Sequence, residues 1–221
     1  MTLSIIMPML NEAKALPTTL TALQHKACYA ELILVDGGSN DHSVAIAKHY
    51  GATVLTAPAG RAQQMNMGAE QATGDYLLFL HADTQLPSNF ELLVRSALAQ
   101  HQWGRFDVAI NGQHPMLRVI SVMMNLRSRW SGIATGDQAL FVRRSAFKAV
   151  GGFPEQDLME DIALSLRLKR LGPPACLRQK VLTSGRRWEQ NGVWRTIWLM
   201  WWLRFAYWRG ECPSKLARRY R

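Results

Sequence analysis

A chain of 221 residues, 48% hydrophobic and 19% charged, can bury one sizeable core and is too apolar to stay disordered. Cys28, Cys176 and Cys212 are odd in number and far apart, which excludes a disulfide framework or zinc spacing and makes a reducing, cytoplasmic setting the expectation. The net charge of +10 is uneven: from Arg178 onward eleven Lys/Arg meet two acids, a basic tail suited to nucleic acid, an anionic membrane or phosphorylated ligands.

Met1 to Ser4 lacks the basic region of a signal peptide. Leu3 to Met7 reads as a buried strand closed by Pro8, and Leu16, Leu20 and Leu23 predict a helix to about Lys26. Glu31 to Val35 is a second strand, and Asn40 or Asp41 caps the helix that follows. Thr53 to Leu55 and Tyr76 to Leu80 read as further strands, with a helix from Gly60 to Gln71 between them. This alternation predicts a doubly wound α/β sheet over the first hundred residues. Beyond it come a helix from Ser88 to Gln100, a strand from Trp103 to Ile110 and a helix from Pro115 to Trp130, with Met116, Ile120, Met123 and Met124 on one side. Gln138 to Val142 is a short strand, Glu160 opens a patterned helix, and Ala175 to Leu182 is a last strand. Trp194 to Trp208 is a helix apolar nearly all round, with Trp194, Ile197, Trp198, Trp201, Phe205 and Trp208 on one stripe. Its longest apolar run, Ile197 to Leu203, is too short to span a bilayer. Three readings stay open for it: an interfacial membrane helix, a dimer seam, or a core helix.

Three loops follow predicted strands: Pro8 to Glu12, Asp36 to Ser39, and His81 to Thr84. Carboxyl ends of parallel strands share one rim, so these loops should converge there. Asp83 stands at that rim with His81 on the same side of the pleat, two potential metal ligands. The alternative is that Asp83 caps the helix beginning near Ser88. Gly37 and Gly38 allow close approach of a ligand to backbone N–H groups, although by itself Asp36 to Ser39 is better read as a plain turn. Neither G-x-G-x-x-G after the first strand nor a G-x-x-x-x-G-K-[ST] loop is present.

The segments Ser4–Glu12, Ile33–Asp41 and Gly74–Asp83, in that order, resemble a family 2 glycosyltransferase, a nucleotide-sugar enzyme of the GT-A fold. Gly136–Arg144, Gly151–Pro154, Leu158–Asp161 and Ser184–Trp188 extend the likeness. Together they are similar to a compact bacterial subgroup associated with radical-SAM and arsenosugar gene clusters. The resemblance implies one domain over 1–221, a Rossmann-like, mostly parallel mixed sheet flanked by helices. Its nucleotide-sugar half is 1–110, and its acceptor half, 111–221, carries the Trp-rich helix at about 192–209.

It also implies site residues. His81-Ala82-Asp83 matches the family's Asp-x-Asp motif, with Asp83, and His81 in place of the first acid, as contacts for Mn²⁺ or Mg²⁺. Pro8, Asn11, Glu12, Asp36, Gly37 and Gly38 match the nucleoside loops. Arg61 and Gln64 match the nucleotide–diphosphate region, and Gly136, Asp137 and Gln138 a further donor-side loop. Arg187 and Trp188 match contacts to diphosphate or acceptor. Glu160-Asp161 matches the catalytic pair, with Asp161 as general base and Glu160 as support; an acidic pair at a helix start is the alternative. The implied reaction is inverting transfer from a UDP- or GDP-sugar to a small-molecule or lipid-linked acceptor, at the inner face of the cytoplasmic membrane or free in the cytoplasm. A homodimer is compatible, and nucleic acid is not expected. Competing readings are a nucleotidyltransferase, which would need a basic Gly-rich loop after the first strand, and a catalytically idle nucleotide-sugar-binding protein at the membrane.

Overall fold

The computed structural model describes residues 1–24 and 30–220. Cys28, and the predicted end of the first helix at Lys26, lie outside the described residues. In chain order the elements are β1 (Leu3–Met9), α1 (Leu16–Gln24), β2 (Ala30–Asp36), α2 (Ser43–His49), β3 (Thr53–Thr56), α3 (Arg61–Gln71), β4 (Tyr76–Phe79), β5 (Thr84–Gln85) and α4 (Phe90–Gln100). After these come β6 (Trp103–Asn111), α5 (Met116–Ser131), β7 (Phe141–Arg143), α6 (Arg144–Ala149), α7 (Glu160–Leu168), β8 (Ala175–Ser184), α8 (Arg186–Asn191), α9 (Val193–Trp208) and α10 (Pro213–Tyr220).

One mixed sheet runs in the order β3-β2-β1-β4-β7-β6-β8-β5. The first four strands in that order are parallel, β7 is antiparallel to both neighbours, and β6 and β8 are parallel. Side-chain alternation divides the core between the two faces. Ile5, Met7 and Met9 pack with Leu16, Leu20 and Leu23 of α1, whereas Ile6 packs with Met65 and Ala69 of α3. Gly68 lets α3 press on the sheet, since a Cβ there would lie 2.5 Å from Ile6 Cγ2. α5 is clasped to β6 by polar side chains: Asn125 accepts from Val108 N–H and donates to its carbonyl, and Ser121 Oγ accepts from Ile110 N–H.

Several boundaries differ from expectation for physical reasons. β1 continues through Pro8 to Met9. Leu80 N–H donates to the Ile6 carbonyl, so Pro8, two residues on, directs its missing N–H to the β4 side, where the β1–β4 pairing has ended at Ile6–Phe79, while its register partner on the other side is Val35 of β2. The expected strand from Gln138 begins only at Phe141, because Gly136–Gln138 is a 3-10 turn closed by a Thr135–Gln138 capping box. Asp83 does not cap α4: Asn89 holds the N-cap position and the bond found for Asp83 comes from the Thr84 hydroxyl at 3.5 Å. On α5, Leu117 and Ile120 face the core while Met123 is 53% exposed. β5, α6, α8 and α10 have no counterpart in the expected elements.

Candidate active site

Chain connectivity brings the loops after β1, β2 and β4 to one rim of the sheet, and hydrogen bonds knit the first two together. Asn11, in the left-handed region at φ 54°, accepts from Asn40 N–H through Oδ1 and donates its own N–H to Ser39 Oγ. Glu12 N–H donates to Ser43 Oγ, and Gly37 N–H to the Met9 carbonyl that ends β1. Pro8 precedes this turn within β1. The Asp36 carboxylate is 5% exposed and accepts from Gly38 N–H and from Ser39 N–H and hydroxyl, so its oxygens organise its own loop. Gln64, also buried, donates its amide to the Met9 and Val35 carbonyls, and a Cβ on Gly37 would crowd that amide at 3.1 Å. Gln64 therefore positions the rim where β1 and β2 end.

A crevice is lined by Arg61 and Met65 of α3, Phe79 and His81 of the β4 end, Gly136, Leu140, Phe153, and the acids Glu160 and Asp161 that open α7. Met159 adopts a left-handed φ of 65° just before the acids, which turns the start of α7 into the crevice. Asp161 is held at both oxygens: Gly136 N–H donates to Oδ2 at 2.9 Å and Ile162 N–H to Oδ1 at 2.7 Å. Burial raises the carboxyl pKa of Asp161 and of Glu160, and mutual repulsion adds to the rise at Glu160. These acids thus form a coupled pair reluctant to carry two charges. Neighbouring Gln138 is fully buried and engaged with Thr135 and Asn125, so it shapes the loop that presents Gly136 and Asp137.

His81 Nδ1 lies 3.3 Å from Asp137 Oδ1. Burial pushes the Asp137 carboxyl up, but the His81 hydrogen bond and charge, with Arg61 and Arg187, bring it below its ordinary value. Arg61 reaches the same field. Desolvation opposes its charge, yet Tyr220, Glu160, Asp137 and Asp161 outweigh that and hold the guanidinium pKa up. Arg187 stacks its guanidinium 3.5 Å over the Tyr220 ring and donates to the Tyr220 carbonyl, tying α8 to the end of α10. Trp188 instead packs partly buried against the main core cluster.

The two residues of the Asp-x-Asp match do not face one cavity. His81 lines the first crevice, and Asp83 lines a second, more open cleft with Lys14, Thr18, Thr183, Ser184 and Arg186 among its walls. Glu12 belongs near that second cleft: burial raises its carboxyl pKa, Asp83 adds repulsion, and an ion pair with Arg186 at 3.4 Å opposes both. Among the described residues no group of three His, Cys, Asp or Glu is placed to hold a metal ion by itself. Asp83 nevertheless keeps oxygen capacity beyond its long Thr84 contact, and one carboxylate with ligand phosphate oxygens suits Mg²⁺ or Mn²⁺.

Sequence reasoning missed two groups at the crevice. Tyr220 lies at the end of a short basic segment with no motif around it. Arg127 on α5 has Nε and Nη2 buried without a hydrogen-bond partner; desolvation lowers its pKa while Asp161 and Asp137 act in the opposite direction. No spacing in α5 marks Arg127 apart from its neighbours Arg118 and Arg129.

Comparison with known proteins accords with this arrangement. The PGL/p-HBAD biosynthesis glycosyltransferase of Mycobacterium tuberculosis (strain ATCC 25177 / H37Ra) is 32% identical over 158 residues, 66% of this chain and 57% of the relative. A probable glycosyltransferase of Bacillus subtilis (strain 168), YdaM, is 25% identical over 93% of this chain and 54% of its own length. This chain thus spans about half the length of these relatives. Among solved structures, Staphylococcus aureus TarS 1-349 superposes with a TM-score of 0.67 at 18% identity, over 84% of this chain and 61% of that one. Mannosyltransferase PcManGT from Pyrobaculum calidifontis, in complex with GDP-Man and Mn²⁺, gives 0.62 at 18% identity, over 81% and 56%. Likeness at that identity carries the fold, which is GT-A. The model of Glycosyl transferase family 2 matches residues 4–150, from the first residues of β1 to the end of α6, and with that match the chain belongs to this family.

Proposed function

We propose that this chain is a metal-dependent, inverting glycosyltransferase that moves a sugar from a UDP- or GDP-sugar to a small-molecule or lipid-linked acceptor. The observation that carries the reading is the Asp161 carboxylate, fixed by the Gly136 and Ile162 N–H groups in a crevice whose rim carries Arg61. In this reading Asp161 takes the proton of the acceptor hydroxyl as that oxygen attacks the anomeric carbon, on the face opposite the departing diphosphate. Its raised pKa makes the carboxylate a stronger base than an exposed aspartate. Arg61 and Arg187 offer guanidinium forks to the diphosphate, and the His81 bond orients Asp137. Asp83 would hold Mn²⁺ or Mg²⁺ together with donor phosphate oxygens; when bound, the ion offsets charge developing on the leaving diphosphate. The names of the solved relatives support the donor class: TarS was solved in complex with UDP-GlcNAc and PcManGT with GDP-Man and Mn²⁺. Resemblance to the compact bacterial subgroup supports a small arsenical or a lipid-linked acceptor, and the exposed Trp-rich helix supports a peripheral position on the inner face of the cytoplasmic membrane.

The test is a donor-hydrolysis and transfer screen over UDP- and GDP-sugars with Mn²⁺. Turnover of at least one donor is expected, with an inverted anomeric centre. Asp161→Asn should lower transfer by about 10²–10⁴-fold while donor affinity by calorimetry stays unchanged. Hydrolysis of no donor, or near-normal turnover by the variant, would overturn the assignment.

A further inference from the structure

We propose that the outward faces of α9 and α5 form one docking surface for an anionic lipid bilayer. On α9, Trp194, Trp198, Trp201, Phe205 and Trp208 are 64%, 77%, 70%, 58% and 78% exposed. Their spacing of four, three, four and three residues puts them within about 80° of arc and along about 21 Å of helix. The helix is not a loose tail, because Val193, Thr196, Leu203 and Ala206 bury its other side. α5 repeats the pattern: Val119, Val122, Met123, Leu126 and Trp130 are all exposed on one face. The first turn of α9, through Val193, enters the same core cluster as Leu117 and Ile120 of α5, while Leu203 and Ala206 bury the rest of α9 against a second cluster.

Charge selects the occupant. Neither helix contains an acid. Arg195 and Arg209 flank the Trp stripe on one side and Arg204 on the other, Arg118 is exposed on α5, and Lys215, Arg218 and Arg219 are exposed on α10, which packs against α9. Indole rings set between arginines match the headgroup layer, where one part of the ring meets acyl chain and the N–H meets water. A second copy across a two-fold axis would bring like-charged flanks together with no acid to answer them. Among the described residues no helix is long and apolar enough to cross a membrane, so the surface lies on the bilayer. Leu158 and Met159, which precede the Glu160–Asp161 pair, pack in one cluster with Leu203 of α9. Leu203 is opposite the Trp stripe, so docking would hold the acid pair behind α9, one helix diameter (~10 Å) from the lipid-facing side. The surface does not depend on the transferase reading.

Flotation of the full chain with phosphatidylcholine vesicles, with and without phosphatidylglycerol, tests it. The chain should float with the anionic vesicles, weaken as salt is raised, and show a blue shift of Trp emission on binding. Trp198→Ser/Trp201→Ser should abolish flotation while keeping the melting temperature and donor hydrolysis. Arg195→Gln/Arg209→Gln should weaken binding to anionic vesicles by about fivefold per arginine. A wild-type chain that stays with the unbound fraction on anionic vesicles overturns the proposal. So does a Trp variant that turns a dimer into a monomer with flotation unaltered, which would make the stripe a seam between copies.

Discussion

Asp161 and Glu160 carry the sharpest consequences of the site's electrostatics. Burial raises both carboxyl pKa values, so Asp161, the base of the proposed reaction, is ionised only above a value higher than that of a free aspartate. Activity should therefore fall, as pH is lowered, at a higher pH than ordinary carboxylate titration would place it. Glu160→Gln removes the neighbouring charge and should shift that acid limb of the kcat/KM profile downward. The same raised pKa has a stability sign. A carboxyl that is harder to ionise in the folded state favours folding while protonated, and that contribution is lost as pH rises through the folded value. At neutral pH Glu160 is a burden on the fold, and Glu160→Gln should raise Tm by about 2–4 °C per kcal/mol released. The gain should shrink in acid, which calorimetry at two pH values would show. A Tm lowered at neutral pH would mean that Glu160 is instead satisfied by its surroundings. The acids, and their adjacency, were legible in the chain; their burial was not, nor the opposing effects of Gly136, Arg61 and Asp137, because these come from other elements.

At the scale of elements, the crevice is held by helix ends more than by the sheet. α7 enters through the left-handed Met159, and α9 and α10 close beside it through Leu203, Ala206, Leu216 and Ala217 with Leu158 and Met159. Leu203 is fully buried in this satellite cluster, and Leu203→Ala should cost about 2–5 kcal/mol, read as a lower denaturation midpoint. Its effect should also reach the site, as weaker donor binding, because α10 carries Tyr220 under Arg187. Normal donor affinity in a folded Leu203→Ala protein would separate α10 from the donor side. β1, β2 and β4 were readable because buried parallel strands are short continuous apolar runs, whereas the edge strand β3 shows only a short β-branched stretch, Thr53 to Thr56. β5 and α8 were not, since two residues, or six mainly polar ones, carry no period. The 3-10 turn at Gly136–Gln138 delays an expected strand to Phe141, because its Thr135–Gln138 capping box holds Gln138 in the turn.

For the whole molecule, the metal is the test that spans both clefts. Chelation should abolish donor turnover, and added Mn²⁺ should restore it. Asp83→Ala should prevent that rescue. His81→Ala should leave Mn²⁺ affinity near normal while raising the Asp137 pKa, because His81 bonds Asp137 and lines the other cavity. Equal loss of Mn²⁺ affinity in both variants would instead join the two residues in one ligand set. The alternation of apolar runs with Gly- and Asp-bearing loops sufficed to specify a parallel α/β half with its functional rim at the strand ends, because local periodicity and strand order act over short distances. It sufficed as well to mark a Trp stripe at helical spacing. Which face of that stripe meets solvent depends on what α9 packs against, and only the packed chain decides it. The same holds for the separation of His81 from Asp83, for the placing of Tyr220 beside Arg187, and for the reach of Arg127 to Asp161 and Asp137. These are contacts between residues distant in the chain, and their energies depend on burial, which one-dimensional spacing does not contain.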